Sequence, residues 1–186
     1  MMRGSRQIGI LAGLSAVTLA VVGALYAARP YQVRMAAFVT DLSPRSFAQR
    51  RNIEKASLSF SETVLKSGET FSLNAVAGPY SAERGFLSER GYSEGRAIPT
   101  SGGGVCQVAS TLFNAARSAG LEILERMPHT GPVSSVPQGD DATVVYGYAD
   151  LKLRNPHPYP VKIVSRIGHD QLRVEIWGKE KPHEPL

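Results

Sequence analysis

Hydrophobic and polar positions follow distinct rhythms along the chain, and each rhythm predicts a different element. Val105, Val108, Ala109, Leu112, Phe113, Ala116 and Ala119 recur at i, i+3, i+4 and i+7. That spacing sets them on one stripe of an α-helix facing a core. Gly120 follows as a left-handed cap. Near the C-terminus, "YPVKIVSRI" and "QLRVEIWG" alternate with period two around Gly168-His169-Asp170, which predicts a hairpin. Val161 and Ile163 share one face; Leu172, Val174 and Ile176 share another. "LEILER", "TVVYGY" and "DLKLRN" predict shorter strands, with a proline-rich loop from Met127 to Asp140. "SPRSFAQRRNIEKASLSF" predicts a short helix or turn capped by Ser43 ahead of Pro44. "TVLKSGETFSL" holds two short apolar runs about a turn at Ser67-Gly68, and "GPYSAERGFLSERGYSEGRAIPTSGGG" reads mostly as loop. The sum is an α+β domain, with a Cys-bearing helix packed on a mostly antiparallel sheet.

The N-terminus is different: Ile8 to Ala28 is a run of 21 residues without a charge. As a helix it reaches about 32 Å, close to a bilayer core of about 30 Å. This predicts an N-terminal transmembrane helix, with Arg3 and Arg6 holding residues 1–7 in the cytoplasm. Arg29 and Arg34 beyond it weaken that bias. A cleaved signal peptide is the alternative, although the run is long for one and "GALYAAR" offers no clean small-x-small site. The layout is then a cytoplasmic N-terminus at 1–7, an anchor at 8–28, a tether at 29–42, a domain at 43–178 and a tail at 179–186. The protein is expected in the cell membrane, single pass, its domain extracytoplasmic, with the lipid bilayer a partner through residues 8–28.

With that segment set aside, the remainder of the 186 residues is one domain of ordinary size. It can bury a core without disulfides or metals. The net charge of +5 favours an anionic surface such as a cell wall or lipid headgroups, or is simply a set of solvated charges. No basic stripe with interleaved aromatics is present, which argues against nucleic acid. "GGGVCQ" lacks the Lys and Ser/Thr of a phosphate-binding loop.

Cys106 is the single cysteine, and it falls in the first turn of the predicted helix. Unpaired backbone N–H groups and the positive end of the helix dipole lie there, and both favour a thiolate. The preceding Gly102, Gly103 and Gly104 permit close approach of a substrate chain. A thiol of pKa about 8.5 is only about 3% ionised at pH 7. A helix end supplies about 0.3–1 kcal/mol, rarely about 2, so a working nucleophile also wants a base. Among His129, His157, His169 and His183, His129 is the candidate base, and Asp141, 12 residues on, is its candidate orienter. Gln107 and the first-turn amides are candidate oxyanion donors. A Cys on a helix N-terminus, then His, then an acid is the chain order of transglutaminase-like and NlpC-type cysteine enzymes, an analogy of order alone. The structural alternatives are plain: Cys106 as a small buried hydrophobe, His129 as a backbone-bonded loop residue, Asp141 as a strand-start carboxylate. A zinc site built from His129, Asp141 and His157 lacks ligand spacing. No metal or other cofactor is expected.

The stretches "GETFSLNAVAGPYSAERGF", "GGGVCQVASTLFNAARSAGLEILER" and "PHTGPVSSVPQGDDATVVYGYADLKLRNPHPYPVKI" together resemble the VanW domain. The matching motif positions run from Phe71, Ser72 and Asn74 through Gly78, Arg84 and Gly85. They continue at Gly103, Gly104, Cys106, Gln107, Ser110, Thr111, Leu112 and Asn114, and end with His129, Gly139, Asp141, Ala142, Thr143, Asp150 and Asn155. Ala75, Phe86 and Met127 depart from the family's usual acid, tyrosine and second histidine. The loss of that histidine argues against a two-histidine metal site and leaves Cys–His–Asp intact. The resemblance implies a bacterial cell-envelope protein, named for an accessory component of vancomycin-resistance clusters. The expected function is action on the cell wall, as a thiol enzyme hydrolysing or transferring peptidoglycan peptides. Gly102, Gly103, Gly104, Asn74, Arg84 and Ser110 would then hold substrate. The alternative is a non-catalytic peptidoglycan-binding or scaffold module.

Overall fold

The computed structural model describes residues 31–93 and 96–179. The elements are β1 (Val33–Asp41), α1 (Phe47–Phe60), β2 (Thr63–Leu65), β3 (Thr70–Ser72), α2 (Leu73–Ala77) and a 3-10 turn (Ala82–Arg84). There follow β4 (Ser88–Ser93), β5 (Arg96–Ser101), α3 (Val105–Ser118), β6 (Glu122–Glu125), β7 (Lys152–Arg154), β8 (Val161–Gly168) and β9 (Gln171–Gly178). The strands form three sheets, β1-β9-β8-β2, β3-β7-β6 and β4-β5. Every pairing is antiparallel.

The helix α3 is the centre of this architecture. Every residue from Gln107 to Ala116 is buried, against β1, β9, α1 and β6. A helix covered on all sides sits inside the fold rather than on it. Its expected core residues Val108, Leu112, Phe113 and Ala116 are buried as the stripe predicts. It closes where expected: Gly120 is left-handed, and the Leu121 N–H reaches back to the Ala116 carbonyl at 3.0 Å. The Phe113 ring lies at the rim of the core beneath two guanidinium groups, Arg117 at 5.0 Å and Arg126 at 4.9 Å from its centroid. Phe113→Ala should cost about 3 kcal/mol, the low end for such a truncation, because two arginine stems can settle into the gap. A chemical denaturation curve measures it.

The β8–β9 hairpin also forms where the alternation places it. His169 and Asp170 both take positive φ, as a two-residue type I′ turn demands. The register sets Ile163 opposite Ile176, so the two apolar sets share one buried face instead of two.

Other expectations are corrected. Val33–Asp41, inside the expected tether, is the edge strand β1: it pairs with β9 and buries Met35 and Thr40. Ser46, not Ser43, caps α1, in a reciprocal box with Gln49. Ser43 instead bonds Asp41. The two apolar runs about Gly68 do not pair with each other; β2 joins β8, and β3 joins β7. The expected loop before the cysteine holds the β4–β5 hairpin. "TVVYGY" holds isolated bridges at Thr143 and Val145 and then turns at Tyr146–Tyr148 instead of continuing as a strand. The expected transmembrane helix is corrected too. No helix among the described residues is long and apolar enough to cross a membrane, and Ile8–Ala28 lies outside them. The single-pass membrane localisation rested on that helix, and no helix among the described residues supports it.

Candidate active site

Polar residues on α3 set the position of the site. Ser110 and Asn114 are buried, and with Cys106 they repeat every four residues. The segment from Asp140 to Val144 runs extended and antiparallel beside them. Asn114 donates to the Asp140 carbonyl at 2.7 Å. One turn earlier, Ser110 Oγ accepts from the Ala142 N–H at 2.9 Å and donates to the Cys106 carbonyl at 2.8 Å. One turn earlier again, the Cys106 thiol meets the Val144 carbonyl at 3.7 Å. The match is geometric: four helical residues advance about 6.0 Å, and two extended ones about 6.6 Å.

The odd-numbered residues of the same segment face the other way. Thr143 N–H donates to the Met127 carbonyl at 2.7 Å. The Arg126 guanidinium donates to the Asp141 carbonyl at 2.6 Å and to its Oδ1 at 3.2 Å. Asp141 Oδ2 accepts from the His129 backbone N–H at 2.6 Å and bonds the ring Nδ1 at 2.7 Å. One short strand-like segment therefore anchors on the cysteine helix along one edge and presents the His129–Asp141 pair along the other.

The ring of His129 has Asp141 on Nδ1 and lines the same cleft as Cys106. The neighbouring Cys106 side chain is the chief reason the imidazole is raised from 6.5 to about 8; burial opposes it, and the bond to Asp141 adds to it. Burial would raise Asp141, but the His129 N–H and ring hold it down at about 2. The linkage to stability has two signs. The His129 contribution is full below pH about 6.5 and is lost as pH rises through about 8. The Asp141 contribution is full above about 3.8 and is lost as pH falls through about 2. Urea midpoints should therefore plateau between these limits. His129→Ala should remove the alkaline decline, about 1–2 kcal/mol after allowance for the partly exposed ring.

Cys106 is half-buried and opens on a cleft of about 290 Å³, lined by Arg45, Gln49, Gly104, His129 and the loop from Val133 to Ser135. Gly104, at φ 98°, is the N-cap of α3 and packs 3.0 Å, measured from an added Cβ, against Ile53. The N–H groups of Val105 and Gln107 turn back to the Gly102 and Gly104 carbonyls. The Cys106 N–H between them is not drawn into those turn bonds. A larger concavity of about 350 Å³, lined by Arg51, Glu54, Lys55 and Leu87 among others, holds neither the cysteine nor a histidine.

The other expected site residues are placed differently. The Gln107 amide is spent on structure: it donates to Thr40 Oγ1 and to the Asp41 carbonyl, both at 2.9 Å, and accepts from Arg45. Gly102 permits the approach of Tyr80, whose Cβ lies 2.6 Å from where a side chain would begin. The Gly103 carbonyl accepts from buried Asn52. Asn74 bonds the Ala149 carbonyl and Tyr80. Arg84 sits on the 3-10 turn and does not line the cleft. Ser110 positions the Asp140–Val144 segment. His157 bonds the Ala119 carbonyl and stacks on Tyr159, so it does not join His129 and Asp141. Among the described residues, no group of three or more His, Cys, Asp or Glu could hold a metal ion. Arg45, Asn114 and Arg126 were not legible as site residues, because their partners lie far along the chain.

Residues 48–177 fit the family described as VanW like protein. The chain belongs to the VanW-like family. It is 36% identical over 143 residues to the uncharacterized protein YoaR of Bacillus subtilis (strain 168), covering 77% of this chain and 47% of that one. It is 26% identical over 136 residues to the vancomycin B-type resistance protein VanW of Enterococcus faecalis (strain ATCC 700802 / V583), covering 70% of this chain and 50% of that one. The chain therefore spans about half the length of these relatives. No solved structure matches it. Of the motif positions that carry the VanW-like resemblance, Gly104, Cys106, Gln107, Ser110, His129, Asp141, Ala142 and Thr143 fall on the Cys106 turn, the His129–Asp141 pair and the segment that joins them, while Phe71, Ser72, Asn74, Gly78, Arg84, Gly85, Asp150 and Asn155 lie elsewhere in the fold.

Proposed function

We propose that this VanW-like domain is a thiol enzyme acting on amide bonds of peptidoglycan peptides. The observation that carries the reading is the His129 ring, bonded at Nδ1 to buried Asp141 and sharing an open cleft with Cys106, whose side chain raises its basicity. The Enterococcus relative's name places it in vancomycin resistance, and that context supports a cell-wall peptide as substrate. In the proposed reaction the Cys106 thiolate attacks the amide carbon, and the carbonyl π electrons move to oxygen. The Cys106 N–H stands where it can donate to that oxyanion. The imidazolium of His129 gives its proton to the leaving nitrogen as the C–N bond breaks, which leaves a thioester. Water, or an acceptor amine, then loses a proton to the ring and attacks; the C–S bond breaks and the thiolate returns. Asp141 keeps the proton on Nδ1 and stabilises the charged ring, while Arg126 and Ser110 hold Asp141 and its segment.

The experiment is incubation of the protein with purified peptidoglycan stem peptides, read by mass spectrometry. The wild type should release an amine-bearing fragment or form an exchanged product, and Cys106→Ser should not. Binding of the peptides with no covalent change in the wild type would overturn the enzyme and leave a peptidoglycan-binding module.

A further inference from the structure

The cleft beside Cys106 holds a cation with an unusual set of partners. Arg45 stands in the turn that leads into α1. Its Nε donates to Gln107 Oε1 at 2.5 Å, and its Nη2 donates to Ser134 Oγ at 3.0 Å. Both acceptors are neutral. Arg34, Arg50, Arg51, Arg117, Arg126 and Arg154 each form an ion pair with a carboxylate. Arg45, like Arg84, Arg166 and Arg173, forms none among the described residues, and of these four only Arg45 lines the cleft. The acid whose charge it shares with Arg50 is Asp41, and Ser43 occupies that carboxylate through its N–H and hydroxyl.

A guanidinium carries five N–H donors in a planar fork. The two bonds above fix its plane across the cleft, from the first turn of α3 to the loop at Ser134, and leave donors over. None of the described residues lining the cleft is acidic. A cation that is preoriented by neutral partners, and that makes no ion pair in an open cleft, suits a planar anion.

We infer that the substrate carries a free carboxylate and that Arg45 binds it while the neighbouring amide meets Cys106. This rests on the thiol-enzyme reading and narrows its substrate to a carboxylate-bearing peptide. Arg45 is the specificity determinant, and Ser134 and Gln107 are the groups that aim it.

Two alkylating reagents of similar size test it. Iodoacetate carries the carboxylate and iodoacetamide does not; in both, the thiolate forms the S–C bond and iodide leaves. The quantity read is the ratio of their rates at Cys106, compared with the same ratio for N-acetylcysteine. The ratio cancels any general change in thiol reactivity. In the wild type it should exceed the free-thiol ratio by about tenfold, fall to it in Arg45→Gln, and be partly kept in Arg45→Lys. A wild-type measurement covers the case in which a variant fails to fold. N-acetylglycine should slow labelling by iodoacetamide saturably, and N-acetylglycinamide should not. A wild-type ratio equal to that of N-acetylcysteine, a preference that survives in Arg45→Gln, or equal protection by both glycine derivatives would overturn the inference. Failure of the underlying reading looks different: slow labelling by iodoacetamide that does not change in His129→Ala.

Discussion

Asp141→Ala should destabilise the domain by about 3–5 kcal/mol, more than any other single change considered in the site. The carboxylate is nearly fully buried and accepts from the His129 N–H, the His129 ring and Arg126. Removing it leaves the His129 N–H without its acceptor and takes the carboxylate from Arg126, which keeps only the backbone carbonyls of residues 139 and 141, and breaking a buried pair on one side carries a cost of that size. Asp141→Asn separates the structural loss from the chemical one. The amide oxygen can still accept from the His129 N–H, so the stability cost should drop to about 1–2 kcal/mol. The same oxygen then faces Nδ1 without its charge, and the NH₂ group falls against the Arg126 guanidinium, so the charged ring loses its stabilising carboxylate. Denaturation midpoints of the two variants, read beside their Cys106 labelling rates, test both parts. Equal stability of Asp141→Ala and wild type would contradict the packing described for this segment.

His129→Ala should slow labelling of Cys106 by iodoacetamide about five- to tenfold at pH 7. Without the ring, the thiol depends on the end of α3, worth about 1 kcal/mol. An ordinary thiol is about 3% ionised at pH 7, so full ionisation by an imidazolium partner raises the reactive share by at most about thirtyfold. A more stable thiolate is also a weaker nucleophile, which takes back part of that gain. His157→Ala is the control, because that ring bonds the Ala119 carbonyl instead. Equal slowing by both substitutions would indicate general loosening of the fold.

The parts of the fold visible in the sequence are those whose partners are near in sequence or whose rhythm is strong. The α3 stripe is such a case, and so is the β8–β9 hairpin with its two-residue turn. The β4–β5 pair was not legible, because Gly91, Pro99 and the polar residues around them carry no period-two pattern. β1 was hidden by a bulge between Arg34 and Ala36 that breaks the alternation of buried residues. In the site, the order Cys106, His129, Asp141 was legible as chemistry. The buried side of Ser110, and the commitment of Gln107 to Thr40 and Asp41, were not. Gln107 meets partners more than sixty positions away, and an amide beside a cysteine reads equally well as oxyanion donor or strut. Ser110 and Asn114 are a sharper lesson. Their four-residue spacing with Cys106 was present in the sequence, and a polar file on a buried helix face signals a backbone segment docked against it.

The account's central claim is that Cys106 and His129 act as one proton-sharing pair. Titrating the His129 ring by NMR, in the wild type and in Cys106→Ala, tests it most directly. The ring should titrate at about 8 in the wild type. It should fall clearly below that when the thiol is removed, since the neighbouring Cys106 side chain is the largest cause of the rise. A ring that titrates at the same pH with and without Cys106 would contradict the claim and leave His129 as the partner of Asp141 alone.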